Sequence, residues 1–363
     1  MEAFSCKGRG LCSSCGGRRM ADTAAHLIDR VFTEAPVRQW VRSLPFGLRY
    51  RLAYDAGLVR AVLQVFVSAV FASLRCRARG RRAVGRIHCG AVTFIQRFGG
   101  ALNLNLHFHT LALDGVYAAS RTDSAVRFRP LPPPDDAEVA RVTRRIARGI
   151  ARLLRRKGLG PEADAEHIDA LPREEPLLAA LYGASVHGRI ATGPRAGQRV
   201  TRLGDRIEAE DAAVLAGPRC ARVAGVSVHA NVAVPARDRQ RLERLCRYAA
   251  RPPIAADRLS TIADGRVIYA LKRRYRDGTS HVLFEPQELM EKLAALVPPP
   301  KFNLVRYHGI LAPAAHGRGA APLGRAGPGA RTASLPRKRA PCRIRRRTSS
   351  RSGTAVRSSG SGP

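Results

Sequence analysis

The stretch from Gly90 to Leu111 constrains this chain more than any other. Ala91-Val92-Thr93-Phe94-Ile95 leads to Gly99-Gly100, after which Asn103-Leu104-Asn105-Leu106-His107-Phe108-His109 alternates polar and apolar residues. Successive side chains of a strand leave opposite faces, so this pattern asks for one polar and one buried face. Two such runs around a Gly-Gly break read as an antiparallel β-hairpin. His107 and His109 then share a face with Asn103 and Asn105, while Phe108 with Leu104, Leu106 and Leu111 is expected on the other, in a core. Two neutral imidazoles at this spacing can chelate one divalent ion. A histidine pair on a solvated sheet face has the same spacing, and the pattern alone does not separate the two. A metal needs a third protein ligand. With a two-residue turn at Gly99-Gly100, position 92 pairs with 107 and 90 with 109. His88 then falls on the histidine face and Gln96 lies near the turn, about 13 Å from His107. That register favours His88, but both residues remain candidates, since a one-residue slip reverses every face.

Charge narrows the partner. Lysine and arginine number 63 against 28 acids, a formal net charge of +35. A chain this basic repels itself and is drawn to polyanions, nucleic acid first and an anionic membrane second. Arginine outnumbers lysine, and planar guanidinium forks suit phosphate. No export signal is legible, and the run Val59–Leu74 is short for a bilayer span and interrupted by Arg60 and Gln64. A buried helix in a cytoplasmic, nucleoid-associated protein is expected, with no membrane partner. The cysteines are read as thiols or metal ligands rather than a disulfide framework.

Four zones follow from composition: a cysteine- and glycine-rich start (1–20), a helical region (21–87), a mixed domain of strands and helices (88–313), and a tail (314–363). The tail is rich in arginine, serine, glycine and proline without acids, and is expected to be disordered. Within the domain, Asp136 to about Lys157 has apolar residues at helical spacing on one side and Arg141, Arg144, Arg145, Arg148, Arg152 and Arg155 on the other. That stripe is either a solvated face or a track for phosphates. Residues 185–235 look β-rich, Ala236–Arg251 helical, Arg266–Leu271 and His281–Phe284 a hairpin around Asp277-Gly278, and Pro286–Leu296 helical.

In the helix before Pro252-Pro253, Leu242, Leu245, Cys246 and Ala249 form the apolar stripe and Arg241, Arg244 and Arg251 gather opposite. Tyr248 falls on the border, which anchors the ring and leaves its hydroxyl on the basic side. An ordinary boundary tyrosine fits the same wheel. Beside a metal and arginines, however, a phenolic oxygen can attack a phosphodiester and conserve the bond energy as a phosphotyrosine. No nucleotide-binding loop is present, and no small-molecule substrate is expected.

The run Gly90–Gly99, continuing Ala101–Leu111, resembles the HUH region of insertion-sequence-91 type transposases. Arg247-Tyr248-Ala249-Ala250-Arg251-Pro252-Pro253-Ile254 resembles that family's tyrosine motif. Tyr269-Ala270-Leu271-Lys272, Tyr275–Thr279 and Arg306-Tyr307-His308-Gly309 resemble its later blocks. The similarity spans roughly residues 4 to 313. It implies an α+β fold in which an antiparallel-sheet HUH nuclease core is flanked by helices. The implied activity is rolling-circle transposition, in which single-stranded element ends are nicked through a covalent 5′-phosphotyrosine. Mg²⁺ or Mn²⁺ would sit at His107 and His109, with Gln96 inside the family-like run and so a ligand candidate. Tyr248 would be the nucleophile, and Arg247 and Arg251 would bind DNA. Many members carry two tyrosines four residues apart; here Arg244 holds the other position, as in the single-tyrosine branch. The family's zinc-binding segment is longer, and Cys6, Cys12 and Cys15 resemble its last part, with His26 a distant fourth candidate for Zn²⁺. A replication initiator or relaxase would share this chemistry, and a decayed DNA-binding remnant would share the charge.

Overall fold

A computed structural model describes residues 12–32, 34–81, 83–120, 126–159, 169–204, 217–300, 302–313 and 315. Cys6 and nearly all of the basic tail lie outside the described residues. The fold is α+β with antiparallel sheets. Helix α1 (Ser13–His26) runs into a π-helical turn (Leu27–Val31), followed by β1 (Val37–Ser43), α2 (Phe46–Tyr54) and α3 (Ala56–Gly80). Five strands come next: β2 (Ala83–His88), β3 (Gly90–Phe98), β4 (Leu104–Leu113), β5 (Gly115–Ser120) and β6 (Arg127–Pro130). Helix α4 (Asp136–Arg156) and the helices α5 (Leu171–Glu174) and α6 (Pro176–Val186) lead to β7 (Thr201–Gly204), β8 (Cys220–Val223) and β9 (Val226–Val234). Then come α7 (Arg239–Ala250), β10 (Leu259–Thr261), β11 (Val267–Ala270), β12 (Thr279–Phe284), α8 (Pro286–Leu296) and β13 (Val305–Gly309).

The functional argument rests on a six-stranded sheet in the order β13-β3-β4-β1-β9-β8. Helices cover both of its faces. On one face, Phe66 and Val70 of α3 and Val142 and Ile146 of α4 pack against Ile95, Phe108 and Val228. On the other, Leu27 of the π turn and Leu242, Leu245, Cys246 and Ala249 of α7 pack against Val92, Phe94 and Leu111. Local chemistry starts the helices. Asp55, Asp135 and Asp238 accept backbone N–H groups of Leu58 (2.7 Å), Glu138 (2.6 Å) and Arg241 (2.9 Å) at the N-termini of α3, α4 and α7. Pro252 and Pro253 stop α7. Among the described residues α3 is the one helix long and apolar enough to cross a membrane, and here its apolar side is packed on the sheet.

Three expectations change. The helical region contains β1, which sits between β4 and β9 near the middle of the sheet. Its sequence, Val-Arg-Gln-Trp-Val-Arg-Ser, hides the strand because the face toward α3 carries Arg38, Trp40 and Arg42, all buried. The β3–β4 hairpin turns through residues 99–103, closed by Gly99 N–H donating to the Asn103 carbonyl at 2.8 Å, with Leu102 at φ 56°. The pairing is therefore Gln96 with His107 and Phe94 with His109, four residues from the tight-turn register. Four is even, so the faces are preserved while the neighbours change. Leu111 shares the parity of the histidines and packs on their face, against α7 and the π turn, rather than with Phe108.

Candidate active site

Strand β4 presents His107 and His109 side by side, their ring centroids 4.9 Å apart. Directly across the ladder from His107 stands Gln96 of β3. The Gln96 amide nitrogen donates to the carbonyls of Ala249 (2.8 Å) and Tyr248 (3.3 Å), two of the unpaired carbonyls that end α7. That contact ties the last turn of α7 to the histidine strand. Tyr248 then lies with its ring edge-on to His109, centroids 5.6 Å apart at 84°. The apolar stripe read from the sequence is buried, and Tyr248, at its edge, keeps 38% of its surface exposed.

Cations surround the phenol. The Arg251 guanidinium carbon stands 4.2 Å from the centre of the Tyr248 ring, and Lys272 Nζ stands 4.8 Å from it. Arg251 also donates to the Tyr248 carbonyl at 3.1 Å and reaches over Phe98 at 5.3 Å. The imidazoles, by contrast, are kept neutral. Burial pushes His107 down to about 4, with Arg251 and Arg49 adding to the effect and a hydrogen bond to Asn105 opposing it. Burial, then the neighbouring His107 and Arg251, pushes His109 down to about 2. Near neutral pH both rings offer lone pairs rather than charge, the state a metal ligand requires.

The polar atoms here fit a divalent cation. Gln96 Oε1, Asn105 Oδ1 and His109 Nε2 are buried without hydrogen-bond partners. Because Gln96 is held through its nitrogen, its oxygen is the end left over, and amide oxygen with imidazole suits Mg²⁺ or Mn²⁺. His107 Nδ1 donates to the Asn105 carbonyl at 2.7 Å, which leaves its Nε2 as a lone pair. The Gln39 amide nitrogen on β1 meets His109 Nδ1 at 2.9 Å. In that orientation the neutral ring keeps its proton on Nε2. A half-turn of the Gln39 amide puts its oxygen there instead, moves the proton to Nδ1 and frees Nε2 for a cation. No group of three His, Cys, Asp or Glu side chains converges among the described residues; the unpartnered side-chain oxygens beside the two imidazoles are those of the Gln96 and Asn105 amides.

Other expected residues fall elsewhere. His88 ends β2, pairs with Tyr117 in a separate sheet and has Arg86 and Arg75 as its charged neighbours, so it does not join the histidine pair. Arg247 points away from Tyr248 into an ion pair with Glu243 (2.7 Å). Cys12 caps α1, its sulfur accepting from the Cys15 N–H at 3.4 Å, while His26 ends the same helix, roughly 21 Å from Cys12. Gln39 and Lys272 were not foreseen. Gln39 carries no motif signal, and Lys272 is the first of three consecutive cations, Lys272-Arg273-Arg274, so no local pattern singles it out.

No curated protein and no solved structure matches the chain. The model of the family described as "Putative transposase" (Y2_Tnp) matches residues 90–318, which include His107, His109, Tyr248 and Lys272. That match covers more than half of the 363 residues, and the chain belongs to this transposase family, with DNA as its partner.

Proposed function

We propose that the protein is a rolling-circle transposase of the HUH type, which cuts and rejoins single-stranded DNA through Tyr248. The observation that carries this reading is the meeting of Tyr248 with His109 at 5.6 Å, on elements well over a hundred residues apart in sequence. The phenolic oxygen bonds to the scissile phosphorus as the bond to the 3′ oxygen breaks. The phenol loses its proton to solvent, and the departing 3′ oxygen gains one. The product is a 5′-phosphotyrosine and a free 3′ hydroxyl, and reversal onto another 3′ hydroxyl rejoins strands without ATP. Arg251 and Lys272 hold the phosphate and stabilise the phenolate that reversal regenerates. His107, His109 and Gln96 would hold Mg²⁺ or Mn²⁺, which when bound neutralises charge on the scissile phosphate. Gln96 has a second role, because its grip on the Tyr248 and Ala249 carbonyls sets where the nucleophile stands.

The test uses single-stranded 60-mers tiling the DNA that flanks the gene, incubated with the full chain and Mn²⁺. A DNA–protein adduct stable in denaturant is expected, and it should vanish with chelator and in Tyr248→Phe. An adduct that survives Tyr248→Phe removes the proposed nucleophile.

A further inference from the structure

Among the described residues, a dense run of exposed charge lies on the other side of the sheet. Along α4, Arg141, Arg144, Arg145, Arg148, Arg152 and Arg155 are all exposed and recur at three- and four-residue spacings. They therefore form one stripe, about 21 Å long. The stripe borders a groove between α3 and α4 with a volume of about 850 Å³, continuous through Arg145, Arg152 and Arg155 with a second stretch of about 680 Å³. The floor is made of small residues of α3, among them Ala69, Ala72 and Ser73. Gly149 keeps the two helices close: a Cβ there would stand 2.6 Å from Val65 Cγ1. Among the described residues Glu138 is the one acid in the lining, and it is occupied by Arg77 at 3.0 Å and by Ser73. Among the described residues none of the six stripe arginines has a carboxylate partner.

We infer that this groove is a second DNA site that holds the backbone of a duplex while the Tyr248 face handles a single strand. Like charges three and four residues apart weaken a helix, and a solvated helix normally intersperses acids among them; a row of phosphates relieves that repulsion. A duplex strand has a charge every 3.4 Å of axis, so a 21 Å stripe spans about six phosphates. Sites for single strands combine cations with aromatic side chains on which bases stack. Among the described residues no Phe, Tyr or Trp lines either stretch of the groove, whereas Tyr248 and Phe98 flank Arg251 on the opposite face. The sheet and the thickness of a helix separate the two sites, roughly 20 Å, so DNA in the groove does not reach Tyr248. Strand transfer involves two DNA segments, and this arrangement gives each its own surface. The inference rests on DNA as the partner but not on Tyr248 as the nucleophile.

The test compares the full chain with Arg145→Gln/Arg148→Gln/Arg152→Gln, with melting temperature checked to confirm folding. Anisotropy of a labelled 30-bp duplex of arbitrary sequence is followed from 50 to 200 mM salt. The triple variant should bind at least about tenfold more weakly near 0.1 M salt, and its log–log salt slope should fall by about 2.7, or 0.9 for each lost phosphate contact. Binding of a labelled 15-nucleotide single strand should stay within twofold, and saturating duplex should not displace that strand from the wild type. Equal affinities and slopes for the duplex would overturn the inference. So would parallel losses for both probes, or a loss confined to phosphatidylserine vesicles. Each measurement can be repeated in Tyr248→Phe, so the nuclease reading and the groove can fail separately.

Discussion

The two faces of the six-stranded sheet use basic side chains in opposite ways. On the α7 face the imidazoles of His107 and His109 and the amide opposite them are neutral and few, and only two cations, Arg251 and Lys272, close over one phenol nearer the surface. On the α3–α4 face the guanidiniums are exposed, charged and many, and the side chains beneath them are small. Burial removes charge and leaves lone pairs aimed at one point, which suits bond chemistry. Exposure keeps charge and spreads it along a line, which suits affinity for a polymer. A net charge of +35 therefore says little about where chemistry happens.

The sharpest way to break this contrast is to remove a group from the buried face. Tyr248→Phe should reduce covalent capture of single-stranded DNA by roughly 10³-fold or more, while duplex binding by the groove holds within twofold. If both fall together, the faces are not independent. Gln39→Leu should have a smaller effect, raising the Mn²⁺ needed for half-maximal adduct formation by about ten- to a hundredfold. His109 would then lose the partner that directs its tautomer. An unchanged Mn²⁺ titration would show that Gln39 does not orient the ring.

Two buried arginines on β1 sharpen the same comparison on stability. Arg38 donates from Nε (2.9 Å) and Nη2 (2.7 Å) to a single carboxylate oxygen, Asp114 Oδ2, and from Nη1 to the Ala230 carbonyl. Arg42, four residues on and fully buried, has no hydrogen-bond partner and rests on the rings of Phe108 (4.7 Å) and Phe66 (5.6 Å). Burial lowers its proton affinity to about 9. Arg38→Ala strands a buried carboxylate and should cost about 3–5 kcal/mol in a urea titration, whereas Arg42→Met should be neutral or stabilising by about 1–4 kcal/mol. A large loss from Arg42→Met would mean that an unpaired guanidinium supports the core.

The smallest effect concerns pH. His107 and His308 are both pushed down to about 4 by burial, and His109 further. Below the ordinary histidine value of 6.5 the unfolded chain binds protons that the folded chain refuses, so stability is full above 6.5 and falls as pH drops toward 4. The urea midpoint should be flat from pH 7 to 8 and decline from pH 6.5 to 4.5, less steeply in His107→Gln/His109→Gln. A flat profile through pH 5 would contradict the burial of these rings.

Much of this was legible in the sequence. The spans of α4, α7 and α8, the β3 and β4 strands, and the β11–β12 hairpin around Asp277-Gly278 follow from periodicity and punctuation. The strand β1 was not legible, because its buried arginines invert the pattern by which a core strand is recognised; the compensating Asp114 and Phe108 lie some seventy residues away. The β3–β4 register was missed because Gly99-Gly100 opens a longer loop, in which Asn103 closes the turn. That single difference moved His88 out of the site and set Gln96 opposite His107. Gln39 and Lys272 reach the site only through tertiary packing, which no local spacing encodes.

The central claim is that Tyr248 is the atom donor for a covalent link to DNA. Trypsin should cut after Arg247 but not at Arg251-Pro252, so Tyr248 falls in the peptide 248–258. After reaction with a single-stranded 60-mer and Mn²⁺, nuclease trimming and mass spectrometry should find a nucleotide phosphate on that peptide, fragmenting at Tyr248. The account is contradicted if the nucleotide is carried by another peptide, such as those holding Tyr269 or Tyr275, while 248–258 is recovered unmodified.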